Sequence, residues 1–162
     1  MSHRAIRRRG FTLIELVITV AIVSLLATAA VPSAQLLYQR QREGDLRMAL
    51  RTIRRAIDAY KQASDTGRVK RRADESGYPP DLQVLVDGVQ DATSEKEDVK
   101  IYFLRRVPRD PFWPDETTPA AATWGLRSYA SPPEDPQPGD DVYDVHSRSS
   151  RSGLDGVPYR DW

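Results

Sequence analysis

The sequence predicts an α+β chain in which one long N-terminal helix carries a small antiparallel sheet on its second half. Three observations predict it. Between Phe11 and Val31 the only formal charge is Glu15, so a helix there is apolar on every face. Further on, Leu46, Ala49, Leu50, Ile53, Ala56, Ile57 and Tyr60 recur at three-to-four spacing, which marks one buried face of an amphipathic helix. The last half of the chain then offers short alternating runs punctuated by Pro and Gly, the pattern of strands and turns.

The apolar run of about twenty residues, at ~1.5 Å rise each, is long enough to cross a ~30 Å hydrocarbon core. A carboxylate inside such a run costs roughly 2.5–3.5 kcal/mol at the centre of a span, and less near its end, where Glu15 lies. Glu15 therefore asks for a partner. Arg4, Arg7, Arg8 and Arg9 precede the run and orient it with the N-terminus in the cytoplasm and the bulk of the chain across the membrane. Pro32 lacks an N–H and clashes one turn back, which predicts a kink more than a stop. One helix is thus expected from about Thr12 to about Ala63, with Gly44 a weak point and with Arg47, Arg51, Arg54 and Arg55 on a solvated face.

From Ser64 to Gly77 the chain turns polar, with Thr66-Gly67 as the helix end and a surface loop after it. Gly77-Tyr78-Pro79-Pro80-Asp81 introduces a short helix over Leu82–Val86, closed by Asp87-Gly88. Gln90–Val99 reads as a loop, and Ile101–Val107 as a short strand or a further helical turn. In Pro108-Arg109-Asp110-Pro111-Phe112-Trp113 the prolines enforce an extended path, and the two aromatic residues can cover one end of a core. Trp124–Ala130 and Val142–Val145 alternate as strands, joined by the proline-rich turn Ser131–Gly139. Ser147–Trp162 has little regular pattern.

Gly10-Phe11-Thr12-Leu13-Ile14-Glu15 after a short basic leader resembles the class III signal of type IV pilins and type II secretion pseudopilins. That resemblance implies a leader over residues 1–10, an assembly and membrane helix over 11–32, and a periplasmic domain of pilin-like fold over 33–162. It implies cleavage between Gly10 and Phe11 by a prepilin peptidase, N-methylation of Phe11, and a role for Glu15 and Pro32 in assembly. Glu15 of one subunit would neutralise the Phe11 amine of a neighbour, fixing register as a lone polar group does in a coiled coil. The Tyr78-Pro79-Pro80 entry and the Pro108-Arg109-Asp110-Pro111 element resemble the major pseudopilin in particular, with Arg109 for a lysine and Phe112 inserted before the tryptophan. The implied function is a structural subunit of a periplasmic pseudopilus that supports export of folded proteins. Its implied partners are further copies of itself, minor pseudopilins, the peptidase and methyltransferase, and an inner-membrane assembly platform. A type IV pilin for motility, adhesion or DNA uptake is the alternative. A signal-anchored periplasmic binding domain that never assembles is a second.

Composition narrows the chemistry. A formal net charge of +1 offers no field for nucleic acid. With no cysteine and with only His3 and His146, neither a disulfide nor a zinc site of the usual kind is available. Another staple for the C-terminal loop is expected. The major pseudopilin ends in a calcium-binding loop, and Asp144-Val145-His146-Ser147 and Asp161-Trp162 resemble its two ends. The middle is shorter and poorer in acids. On that resemblance Ser147, Asp155 and Asp161, with backbone carbonyls, are the candidate calcium ligands. The alternative is a loop closed by packing of Leu154, Tyr159 and Trp162, with Asp155-Gly156 as a turn. No nucleophile motif, phosphate loop or histidine–carboxylate grouping beyond Asp144 and His146 points to an enzyme.

Overall fold

The computed structural model describes residues 10–96 and 98–162, with the backbone alone at 28–34. The leader at 1–9 and the Pro32 side chain lie outside the described part, although the backbone at Pro32 runs within a helix. That helix, α1, spans Leu13–Asp65, two residues beyond the expected end. The chain divides into two units, Met1–Gln39 and Arg40–Trp162, and α1 contributes to both.

In the first unit, Thr12 opens α1: its Oγ1 accepts the Glu15 amide and its carbonyl the Leu16 amide. The large side chains from Phe11 to Leu26 all lie open, with Phe11 79% and Leu13 82% exposed. The two hydroxyls that could interrupt this surface fold back on the helix, Thr19 onto the Leu16 carbonyl and Ser24 onto that of Val20.

The second unit is built on the amphipathic half of α1. Leu46, Leu50, Ile53 and Ile57 are fully buried and Ala49, Ala56, Tyr60 and Ala63 nearly so, as their spacing predicts. Burying each leucine or isoleucine stabilises the fold by roughly 1.5–3 kcal/mol. α1 stops where Gly67 takes φ +77°, and the Arg68 and Val69 amides cap the Ala63 carbonyl. The segment after it is tied down more than its polarity suggests. Val69 is buried, Arg68 binds Asp91, and the Arg68 carbonyl accepts the Ala92 amide. α2 is a single turn, Val84–Asp87, opened by the Asp81 carboxyl on the Val84 amide and closed at Gly88. Leu82 and Leu85 below it join the core.

The described strands form two separate two-stranded antiparallel ladders rather than one sheet. β1 (Val89–Gln90) pairs with β2 (Lys100–Ile101). The strand expected over Ile101–Val107 ends after Ile101, because the Phe103 and Leu104 amides both turn to the Leu85 carbonyl. β3 (Trp124–Arg127) pairs with β4 (Asp144–Ser147) in the register Trp124↔Ser147 to Arg127↔Asp144. Both differ from the expected spans, because groups far along the chain take the backbone and side-chain donors at their ends. The Asp141 carboxyl draws the Ser128 hydroxyl, the Tyr129 amide and the Ser76 hydroxyl, which ends β3 at Arg127. The Val142 amide goes to the Pro79 carbonyl, so pairing resumes only past it. Opposite His146, Gly125 leaves room for the imidazole ring, which a Cβ there would force to move.

Asp110 is the least expected member of the core. It is 2% exposed, accepts the Ser147 hydroxyl (2.6 Å) and the Phe112 amide (2.8 Å), and donates its own amide to the Thr123 hydroxyl. It thus joins the Pro108–Trp113 segment to the end of β4 and to the 3-10 turn Ala120–Thr123. Asp110→Ala leaves two buried donors unpaired and should destabilise the chain by about 3 kcal/mol. The measurement is a denaturant titration, with a lowered midpoint at unchanged slope expected.

Candidate functional site

Two regions gather the residues that the sequence singles out. The first is the start of α1. Gly10 is exposed, and no described residue stands where its side chain would project. Thr12 and Glu15 have the spacing of a capping box, and Thr12 plays the capping part. Glu15 lies in the first turn of α1, where a negative charge opposes the positive end of the helix dipole. Its side chain is exposed, and among the described residues no cation pairs with it. The arrangement is one carboxylate at the tip of an otherwise apolar rod. Among the described residues no helix is long and apolar enough to cross a membrane. The apolar stretch with described side chains, Leu13–Ala27, measures only about 22 Å at helical rise. The remainder of the expected span falls on residues 28–32.

The second region is the C-terminal segment. Here the expected calcium ligands are placed in different surroundings. The Ser147 hydroxyl is buried on Asp110. Asp155 forms an ion pair with Arg47 at 3.2 Å and accepts the Val157 amide. Asp161 is near Arg160, at 3.4 Å. Among the described residues no three acids, histidines or cysteines come together as a metal site. The donor set does not fit the ion that the resemblance implied. Of the packing alternative, Tyr159 is fully buried and stacks on Phe112 at 4.1 Å, with Trp162 edge-on at 5.0 Å. Leu154 is exposed and takes part only through its backbone.

Sequence reasoning missed three residues here. Glu43, on the buried face of α1, accepts both the Leu154 amide (2.9 Å) and the Tyr159 hydroxyl (3.0 Å). Arg47 binds Asp155 and covers the Trp162 ring at 4.1 Å. Arg54 donates to Asp144 (2.7 Å), to the Val145 carbonyl and to the Trp162 carbonyl (2.8 Å). The available signal was spacing: Glu43 falls three residues before Leu46, in phase with the buried face. A cavity of about 700 Å³ opens beside Arg54, lined by Arg127, Asp144, His146, Asp161 and Trp162 among others. Its cations and anions largely offset one another. Burial lowers the His146 pKa below the ordinary imidazole value, with Asp144 opposing the shift and Arg148, Arg160 and Arg54 adding to it.

Compared with known proteins, the chain carries the prokaryotic N-terminal methylation motif over residues 6–31. It is similar to the type IV major pilin protein PilA of Myxococcus xanthus (strain DK1622), with 35% identity over 75 residues. The match takes in 46% of this chain and 33% of that pilin, so the chain spans about a third of its relative's length. No solved structure matches the chain. Together the motif and the identity support a likeness to type IV pilins, and the motif suggests a membrane-anchored N-terminus.

The His146 shift has a definite sign. The fold favours the neutral ring, so its contribution to stability is complete above the free-histidine pKa of about 6.5 and declines as pH falls below it. An NMR titration of the imidazole protons should show His146 protonating at lower pH than a free histidine. A midpoint at or above the free value would contradict the burial.

Proposed function

We propose that this type IV pilin-like chain is a non-enzymatic structural subunit that assembles through the first part of α1 into a periplasmic filament. One observation carries the reading: the helix is apolar on all sides, fully open, and bears a single carboxylate in its first turn. Such a surface needs lipid or the same surface of neighbouring copies. Before assembly the helix spans the inner membrane once, with Arg4–Arg9 in the cytoplasm and the C-terminal unit in the periplasm. A prepilin peptidase cuts between Gly10 and Phe11, and the Phe11 amine is methylated. In the filament that amine lies near Glu15 of an adjacent copy. A pair enclosed in apolar surroundings is strongly register-dependent, because a misplaced copy leaves both charges unpaired.

Among filament systems, the proposal is the pseudopilus of a type II secretion apparatus, with minor pseudopilins and an inner-membrane platform as partners. The cysteine-free sequence, the Tyr78-Pro79-Pro80 entry and the Pro108–Pro111 element support it. The similarity to a type IV major pilin favours a second reading, a surface pilus subunit. Deletion separates the two: loss of exoprotein secretion marks the pseudopilus, and loss of surface fibres the pilus.

The decisive experiment is the intact mass and N-terminal sequence of the protein extracted from membranes. A chain beginning at N-methylated Phe11 is expected. A chain beginning at Met1 or Ser2 would overturn assembly in favour of a signal-anchored domain. Glu15→Ala should be processed normally yet give at least tenfold fewer filaments by shearing and blotting, since one buried charge pair is worth more than ~1.4 kcal/mol. Wild-type yield would remove the pairing from the account.

A further inference from the structure

We propose that the C-terminal segment is closed onto α1 by the Glu43 carboxylate, without calcium. The closure concerns the second unit alone and holds whether or not the chain forms filaments. Glu43 is 5% exposed and lies on α1 in line with Arg47, Leu50 and Arg54. Its Oε1 takes one backbone donor and one side-chain donor from the same terminal segment, the Leu154 amide and the Tyr159 hydroxyl.

The polarity of this arrangement is the reverse of a calcium site. Calcium gathers six to eight oxygens, including backbone carbonyls turned inward. Here an N–H and an O–H are turned inward, and a carboxylate gathers them. Three carbonyls of the segment bond within it: Gly153 accepts the Gly156 amide, Arg151 the Tyr159 amide and Val157 the Gly153 amide. These bonds shape a tight hairpin around the Ser152↔Pro158 bridge, with Gly156 at φ +81°. The positive charge that a metal would bring is already present. Arg47 neutralises Asp155, and Arg54 holds the Trp162 and Val145 carbonyls together with Asp144. A divalent cation near Asp155 would have to displace a guanidinium. Phe112 stacks on Tyr159 and Trp162 meets it edge-on, and Glu43 and Tyr159 are both buried, so the Glu43 bonds lie away from water. Such bonds are strong because the alternative is a buried, unpaired charge.

The test uses the full chain in detergent, stripped with EDTA and then titrated with calcium chloride. The melting temperature and the hydrogen exchange of the Leu154 amide should be the same with and without calcium. A saturable rise of several degrees on adding calcium would overturn the proposal. In Glu43→Ala, the Leu154 amide should exchange roughly tenfold faster or more, and residues 148–162 should become sensitive to protease. An amide still protected at the wild-type level would overturn it as well. If Glu43→Ala does not fold, Tyr159→Phe removes one donor and keeps the stack. Its melt should fall by a few degrees and stay indifferent to calcium, and a wild-type melt there would count against the Glu43 bond.

Discussion

The second unit must cover one long apolar helix face with very little sheet. Leu46 through Ala63 present that face, and what covers it includes two ladders of two and four residue pairs. A chain that crosses a core as loops has backbone amides with no ladder partner, and each one left unpaired in the interior costs about 1–3 kcal/mol. The unit's polar architecture answers that cost.

Backbone carbonyls take many of these amides, and carboxyl groups take others at several turns. Asp81 takes the Val84 amide, Asp91 the Thr93 amide, Asp110 the Phe112 amide and Asp141 the Tyr129 amide. Two of them also hold a hydroxyl from a distant segment with the other oxygen. Asp110 reaches Ser147, and Asp141 reaches Ser76. Glu43 applies the same device between the helix and the last hairpin. In a chain without cysteine, these acids supply the long-range ties that a disulfide framework would otherwise make. They differ from disulfides in acting through the folded state, by satisfying donors, and not through the entropy of the unfolded chain.

What could be read in the sequence follows from this division. The helix, its buried face and its end at Thr66-Gly67 rest on spacing and on glycine stereochemistry, both local, and all are found where expected. The turn at Asp87-Gly88 is local in the same sense. Strand ends were misjudged by two or three residues, because they are decided by Asp141 and the Pro79 carbonyl, far along the chain. Ile101–Val107 read as a short strand or a further helical turn. Nothing nearby announces that the Leu85 carbonyl will take two of its amides. Asp110 was legible as a turn residue between prolines, but its burial depends on Ser147, a residue that the resemblance offered as a calcium ligand instead. Proline spacing shows where a chain must bend, and a long-range acid decides what the bend is fastened to.

The two acids that sit in phase with apolar surface on α1 make the contrast sharpest. Glu43 is enclosed, and donors of its own chain meet it. Glu15 stands in an apolar run and is exposed, with no cation of the described residues beside it. The physics of both is the same, since a carboxylate surrounded by hydrocarbon is stable only when something donates to it or neutralises it. Glu43 has that something within the fold, so its effect is to fix a loop. Among the described residues Glu15 has no such partner, and in the filament proposed above the Phe11 amine of an identical chain would supply it. The proposed filament thus asks of a neighbour, for Glu15, what the last hairpin gives Glu43 within one chain.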